Sequence, residues 1–176
     1  MKAQPSPSLP PTIRIEPARL TAPHAQRLIA ELNAELSATY PEPGATHFGL
    51  ETKDVAAGEG MFVIAYRDDE PVGCGALRRV SEPDAVSELG SDVGELKRMY
   101  VVPAMRGRGV GRAILARLEA EARSLGLNRI VLETGTRQRE ALRLYERAGY
   151  VVRAPFGEYR SSPATSVCME KSAPIA

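Results

Sequence analysis

The stretch that most constrains this chain is Arg106-Gly107-Arg108-Gly109-Val110-Gly111-Arg112, three glycines and three arginines in seven positions. An apolar segment, Met99-Tyr100-Val101-Val102-Pro103, leads into it. After it, Ile114, Leu115, Leu118, Ala122 and Leu125 recur at helical spacing, and Gly126 is a natural stop. A strand that feeds a helix through a glycine loop leaves the helix's first N–H groups open at the positive end of its dipole, which favours an anion. A Cβ in the loop would hold a phosphate off those amides and forbid some turn conformations. Arginine adds charge and a planar fork for phosphate oxygens. The bland alternative is a solvated turn with ordinary charges.

Two familiar phosphate loops do not fit. A nucleoside-triphosphate loop needs Gly-Lys followed by Ser or Thr, and Gly111 is followed by Arg112 and Ala113. A dinucleotide loop needs G-x-G-x-x-G, whereas the spacing here is Gly107-x-Gly109-x-Gly111. Glu133, at a strand end where a ribose-binding acid would stand, keeps a nicotinamide enzyme in view. The element order argues against it, because a hairpin precedes the glycine strand and too little chain follows for a doubly wound sheet.

Along the chain, residues 1–11 carry four prolines and two serines and are expected to be a disordered leader. Residues 12–15 alternate as a short strand. A helix opening at Pro23 has Leu28, Ile29, Leu32 and Leu36 on one face and stops at Pro41-Glu42-Pro43-Gly44. A weaker helix is expected within 48–58. Strands over 61–66 and 72–80 form a hairpin around Asp68-Asp69-Glu70, and 81–93 reads as loop. A strand over 95–101 enters the glycine loop. A strand over 129–132, a helix over 140–148 closed by Gly149, and strands over 150–152 and 165–169 complete the order. This is an α/β pattern of the α+β mixed-sheet kind, antiparallel at one end with a parallel pair near the middle. One domain over 12–171 with a 172–176 tail is expected.

Composition narrows the partners. The 176 residues include 23 basic and 22 acidic ones, a net charge of +1, so a dedicated nucleic-acid role is not expected and the basic loop answers to something small. No apolar run approaches the roughly 20 residues of a membrane span, and the N-terminus lacks a signal-peptide core. A cytoplasmic protein is the default. Cys74 and Cys168 lie in apolar segments without metal-ligand spacing, so no metal site is expected; a reduced pair of small core residues and a disulfide between them are both open.

Three segments together closely resemble the GNAT N-acetyltransferases. They are Arg106-x-x-Gly109-x-Gly111, the preceding Glu95-Leu96-Lys97-Arg98-Met99-Tyr100-Val101, and Ala141-x-x-x-Tyr145-x-x-x-Gly149-Tyr150, which matches that family's A-x-x-x-Y-x-x-x-G-F/Y closing motif. The resemblance covers roughly 12–171 and implies that family's fold, with about 6–7 strands, four helices and splayed fourth and fifth strands. It implies acetyl-CoA as donor. The pantetheine arm would lie along Met99, Tyr100 and Val101, and the pyrophosphate on the turn Arg106, Gly107, Arg108, Gly109, Val110, Gly111 and Arg112. Gln138 stands where the family often has asparagine before the last helix, a departure at the start of that cofactor-contacting helix.

Acetyl transfer to an amine needs a neutral amine and a protonated leaving thiolate. The resemblance implies Glu95 as base, through a water, and Tyr145 as the acid near the sulfur. Glu133 and Glu158 are second choices for the base. The bland readings are an ion pair with Lys97 or Arg98 for Glu95 and a core aromatic for Tyr145. His47, Phe48, Leu77, Arg79 and the run Phe156-Gly157-Glu158-Tyr159-Arg160 are candidates to line the acceptor site. The reading is an N-acetyltransferase acting on a primary amine, more simply of a small molecule than of a peptide, by direct attack in a ternary complex. A homodimer is admitted. The rival class is an acyl-CoA-binding sensor without chemistry.

Overall fold

The computed structural model describes residues 12–45 and 49–172, so the leader and the candidates His47 and Phe48 lie outside the described residues. One seven-stranded sheet runs in the order β1-β2-β3-β4-β5-β7-β6. Its strands are β1 (Ile13–Pro17), β2 (Gly60–Arg67), β3 (Glu70–Arg79), β4 (Val93–Val101), β5 (Arg129–Gly135), β6 (Val151–Arg153) and β7 (Ser166–Ser172). The helices are α1 (Pro23–Thr39), α2 (Pro83–Leu89), α3 (Val110–Ser124) and α4 (Arg139–Arg147). Only β4 and β5 pair in parallel, with α3 as their crossover, and every other pairing is antiparallel.

Both faces of the sheet are covered, which explains why 61–66 reads as an unbroken apolar run rather than an alternating one. Along β2, Val63 and Ala65 face α3, packing with Ile114, Leu115 and Leu118, while Phe62 and Ile64 face α1 beside Leu28 and Leu32. A third cluster joins Ala85 and Leu89 of α2 to Val93, Val131, Phe156 and Tyr159. Helix α3 lies close on β3 because of Gly75. A Cβ there would sit 2.7 Å from Ile114 Cγ2 and 2.6 Å from Met99 Sδ.

Two local expectations are corrected. The segment 81–93 is not all loop, because α2 occupies Pro83–Leu89 with proline in its first turn, Ala85 and Leu89 buried and Gly90 ending it. Seven residues are too few to establish a 3.6-residue period, which hid it. The described part of 48–58 holds no α-helix, only a 3₁₀ turn over Thr52–Val55, tied by the reciprocal capping of Glu51 and Asp54. The number of α-helices is still four among the described residues.

The feature that makes a site is the end of the parallel pairing. Strands β4 and β5 are in register only from Val93–Arg129 to Leu96–Leu132. Beyond that β4 stays with β3 and β5 with β7. A bulge turns β4 at this point: Ala76 faces Lys97 and Cys74 faces Tyr100, so three steps on β4 match two on β3. Arg98 takes the strain at φ 57°, and its guanidinium donates to Asn33 Oδ1 of α1 (3.1 Å).

Leu118 is fully buried between α3 and the sheet. Leu118→Ala is expected to cost roughly 2–5 kcal/mol of unfolding free energy, read from chemical denaturation. A loss near zero would mean that α3 is not seated on the sheet as described.

Candidate active site

The strand divergence opens a cleft of about 1140 Å³. The loop at one end begins with a 3₁₀ turn, Pro103–Met105, anchored by the buried Met105. Gly107 (φ 71°) and Gly109 (φ 83°) adopt left-handed conformations, and Gly109 is the residue capping α3. Ala113 is the first α3 residue whose N–H finds a backbone acceptor, the Gly109 carbonyl at 3.0 Å. The N–H groups from Gly107 to Arg112 have no backbone acceptor among the described residues. Gly107 and Gly109 to Arg112 line the cleft, whereas Arg108 is exposed and does not. A row of open amides at a helix start is an anion cradle.

Arg106 does something different from its neighbours. Its Nε donates to the Val101 carbonyl (2.9 Å), its Nη2 meets Glu35 Oε2 of α1 (2.6 Å), and its guanidinium lies 5.7 Å from the centre of the Tyr100 ring. The side chain clamps the loop to the end of β4. Met99, Tyr100, Val101 and Gln138 also line the cleft, Gln138 as the residue preceding α4.

Deeper in, the cleft is lined by Tyr145 from α4 and Glu133 from β5. Tyr145 is 4% exposed, its ring edge-on to Tyr150 with centroids 5.8 Å apart. Burial pushes its phenol well above the ordinary value of 10, and the Glu133 charge adds to the rise. Glu133 is itself raised from an ordinary value of 4.5, first by burial, with Glu95 and Glu158 adding repulsion and the Ser166 hydroxyl and Lys97 opposing.

Glu95 and Lys97 stand two apart on β4 and therefore share a face with each other and with Tyr159. Glu95 is 1% exposed and is not among the cleft-lining residues. Arg78 donates to its Oε2 from Nε (2.8 Å) and Nη2 (2.6 Å), and the Tyr159 hydroxyl donates to its Oε1 (2.5 Å). Lys97 Nζ donates in turn to the Tyr159 oxygen (3.0 Å) and lies 3.5 Å from Glu158 Oε1. Lys97 and Tyr159 reach the cleft, so this network forms its floor.

Other sequence candidates fall elsewhere. Leu77 is buried in the α3-side core. Arg79 donates to the Leu125 carbonyl, and neither residue lines the cleft. Phe156 is buried beside Tyr159, and Arg160 pairs with Glu88. Both cysteines are free and buried. The sequence reading missed Arg78 and the residues at the far wall, where the Tyr40 hydroxyl accepts the Arg137 N–H (2.8 Å) above Gly135, and it offered Lys97 only as an ion-pair partner of Glu95, from whose Oε1 it lies 3.8 Å, not as a cleft residue. A usable signal existed for Lys97: two charges at alternate positions of a central strand must either be buried and paired or line a cavity.

Among the described residues no group of acidic, histidine or cysteine side chains could hold a metal ion, and no helix is long and apolar enough to cross a membrane.

A mixed sheet parted at its parallel pair, with open amides on one side and a buried phenol within, suits a phosphate-bearing ligand and a proton donor set beside it. The chain belongs to the acetyltransferase (GNAT) family, whose pattern it matches over residues 25–150. An IAA acetyltransferase of Azospirillum brasilense is 39% identical over 82% of this chain and 88% of its own. A candidate acyl-CoA N-acyltransferase from Klebsiella pneumoniae superposes with a TM-score of 0.74 at 32% identity, covering 92% of this chain and 97% of that one. The fold recurs in a GNAT acetyltransferase from Elizabethkingia anophelis solved with acetyl-CoA bound, at TM-score 0.60 and 17% identity over 91% of this chain and 97% of that one.

The raised Glu133 carboxyl has a consequence for stability. The folded state holds this proton more tightly than the unfolded chain, so Glu133 costs nothing at low pH and destabilises as pH rises above about 4.5 and through its folded value. Glu133→Gln is therefore expected to raise Tm, by an amount that grows from acid to neutral pH. A difference independent of pH would show that Glu133 does not titrate abnormally.

Proposed function

We propose that the chain transfers the acetyl group of acetyl-CoA to a primary amine of a small molecule, by direct attack while both substrates are bound. The carrying observation is the division of the cleft: open amides at one end, the buried phenol of Tyr145 and the half-buried carboxyl of Glu133 at its centre. The residues fit the donor. Open amides on a left-handed glycine turn suit a pyrophosphate, and a Cβ on Gly107 or Gly109 would have space but the wrong backbone conformation. Drug-sized ligands occupy roughly 300–1,000 Å³, so a cleft of about 1140 Å³ has room for a long donor and a small acceptor together.

Acetyl-CoA supplies the activated thioester. Met99 and Val101 align it along β4, and Gly107 to Arg112 hold its phosphates. Tyr145, kept protonated by burial, donates its phenolic proton to the sulfur as the thiolate leaves. For the base, two carboxylates compete. Glu95 has both oxygens engaged by Arg78 and Tyr159, while Glu133 lines the cleft with a raised value closer to neutrality. We assign to Glu133 the acceptance of the ammonium proton, directly or through a water, and to Glu95 the positioning of Tyr159 and Lys97 beneath the acceptor. The near-neutral net charge favours a small acceptor over a nucleic-acid-bound protein.

A thiol-release screen of amines with acetyl-CoA tests the reaction, and absence of turnover with every class while acetyl-CoA binds would favour a sensor instead. Tyr145→Phe is expected to lower kcat about 10²–10⁴-fold with little change in KM for the donor. The acidic limb of the kcat/KM profile is expected above the ordinary carboxylate range and to vanish in Glu133→Gln; if it vanishes in Glu95→Gln instead, Glu95 is the base. Gly109→Val is expected to abolish donor binding and Arg108→Ala to weaken it only slightly, and equal losses would contradict amide-based binding.

A further inference from the structure

The cleft cuts through the sheet and has two sides. Tyr145 belongs to the α3-side cluster, whereas Val93 and Val131 pack on the opposite face with Phe156 and Tyr159. Alternate residues of a strand share a face, so Glu95 and Lys97 follow Val93, and Glu133 follows Val131, onto this second side. Lys97 is one of the charges that the Glu133 carboxyl senses.

Arg98 is the next residue of β4. It lines the same cleft and is half-buried. Its backbone is left-handed, at φ 57°. That conformation is uncommon outside glycine and asparagine, and strain of this kind gathers where a side chain has to be aimed. The bulge asks only for a residue that tolerates the turn, which glycine or asparagine would do with less strain. What arginine adds there is a guanidinium at the cleft wall, where Nη1 donates to Asn33 Oδ1 of α1 (3.1 Å) and tethers the group. Burial pulls the Arg98 pKa below the ordinary arginine value, so an anion arriving beside it would be gripped in a poorly solvated setting. Lys97 is placed differently. Its Nζ is enclosed by the Tyr159 oxygen (3.0 Å), Glu158 (3.5 Å) and Glu95 (3.8 Å), which makes it part of the floor. A planar guanidinium at the wall is the better match to a carboxylate, because its N–H groups form a fork that meets both oxygens.

We propose that the acceptor is an amino acid or a close analogue, an amine that carries its own carboxylate, and that Arg98 binds this carboxylate while the amine faces Glu133. Arg98 is then a specificity-determining residue that selects acids over the corresponding amides. This inference rests on the acetyl-transfer reading above and names the acceptor class for it.

Thiol release from acetyl-CoA tests it, measured with the common amino acids and with their α-amides in the unaltered chain and in R98N. Asparagine tolerates the left-handed backbone, so the bulge is expected to survive the loss of charge. For the preferred amino acid, kcat/KM is expected to exceed that of its amide about tenfold or more, the scale of one hydrogen bond to a charged group. In R98N this acid-to-amide ratio is expected to fall toward one. A loss caused only by altered packing would lower both substrates alike and keep the ratio. N33D reads the same interaction without replacing Arg98: a carboxylate set against the guanidinium competes with that of the acceptor and is expected to lower the ratio as well, and it decides alone if R98N does not fold. Equal turnover of acids and amides by the unaltered chain, a ratio kept in R98N, or turnover confined to amines without a carboxylate overturns the acceptor class and leaves acetyl transfer standing. If no amine of any class releases thiol, the acetyl-transfer reading itself falls and this inference with it.

Discussion

Strands β4 and β5 share a ladder from Val93 to Leu96 and then separate, and this separation has to be held open against the tendency of a sheet to zip closed. Backbone groups leaving a ladder inside a protein must find other partners or a cavity. Here the bulge at Arg98 rotates β4 toward β3, and the left-handed backbone of Arg98 is secured from outside by Asn33 of α1. On the other side β5 is kept by seven paired positions with β7. Two antiparallel neighbours pulling in opposite directions thus keep one parallel pair apart. The cleft, its open amides and its half-buried Glu133 carboxyl all follow from that geometry.

The second constraint is charge. The centre of the sheet buries Glu95 and Lys97, and such charges are tolerated only when paired and hydrogen-bonded. Arg78 comes from β3 and Tyr159 from the turn over β5, so the network staples three parts of the chain beneath the cleft. It also places the Glu95 carboxyl near Glu133, one of the causes that lift the Glu133 carboxyl. A structural ion pair and a perturbed cleft residue are therefore two aspects of one arrangement.

How much of this a reader of the sequence can see depends on the range of the signal. The glycine loop, α1, α3, α4 and the hairpin are legible because turn residues and apolar periods are local. Helix α2 escapes because seven residues make fewer than two turns, and its anchoring partners, Val131 and Phe156, are far along the chain. The 3₁₀ turn at Thr52–Val55 ends after four residues, its Val55 packed only partly buried against the α1-side core. Within the site, Glu95 and Tyr145 are visible by motif, but what surrounds Glu95 is not. Arg78 lies 17 residues away and Tyr159 lies 64 away, so its enclosure is a product of the sheet order. Glu133 is visible only as an acid at a strand end, and its perturbed state needs the fold.

The arginines of the loop illustrate why residue type alone does not assign a role. Arg106, first in the motif, turns inward to the Val101 carbonyl and Glu35, Arg108 faces solvent, and Arg112 faces the cleft. Three identical side chains within seven residues thus serve as clamp, surface charge and cleft wall, because the left-handed glycines between them redirect the chain at each step. The clamp has a mechanical consequence. Glu35 lies on α1, the helix that also steadies Arg98 through Asn33, so one helix braces both the amide cradle and the bulge that holds the cleft open. Fixed backbone donors bind an anion well only if they are already in place when it arrives, since amides that had to be reorganised would spend the interaction on ordering themselves. Bracing by α1 is what lets a short glycine-rich turn, flexible by composition, act as a rigid set of donors.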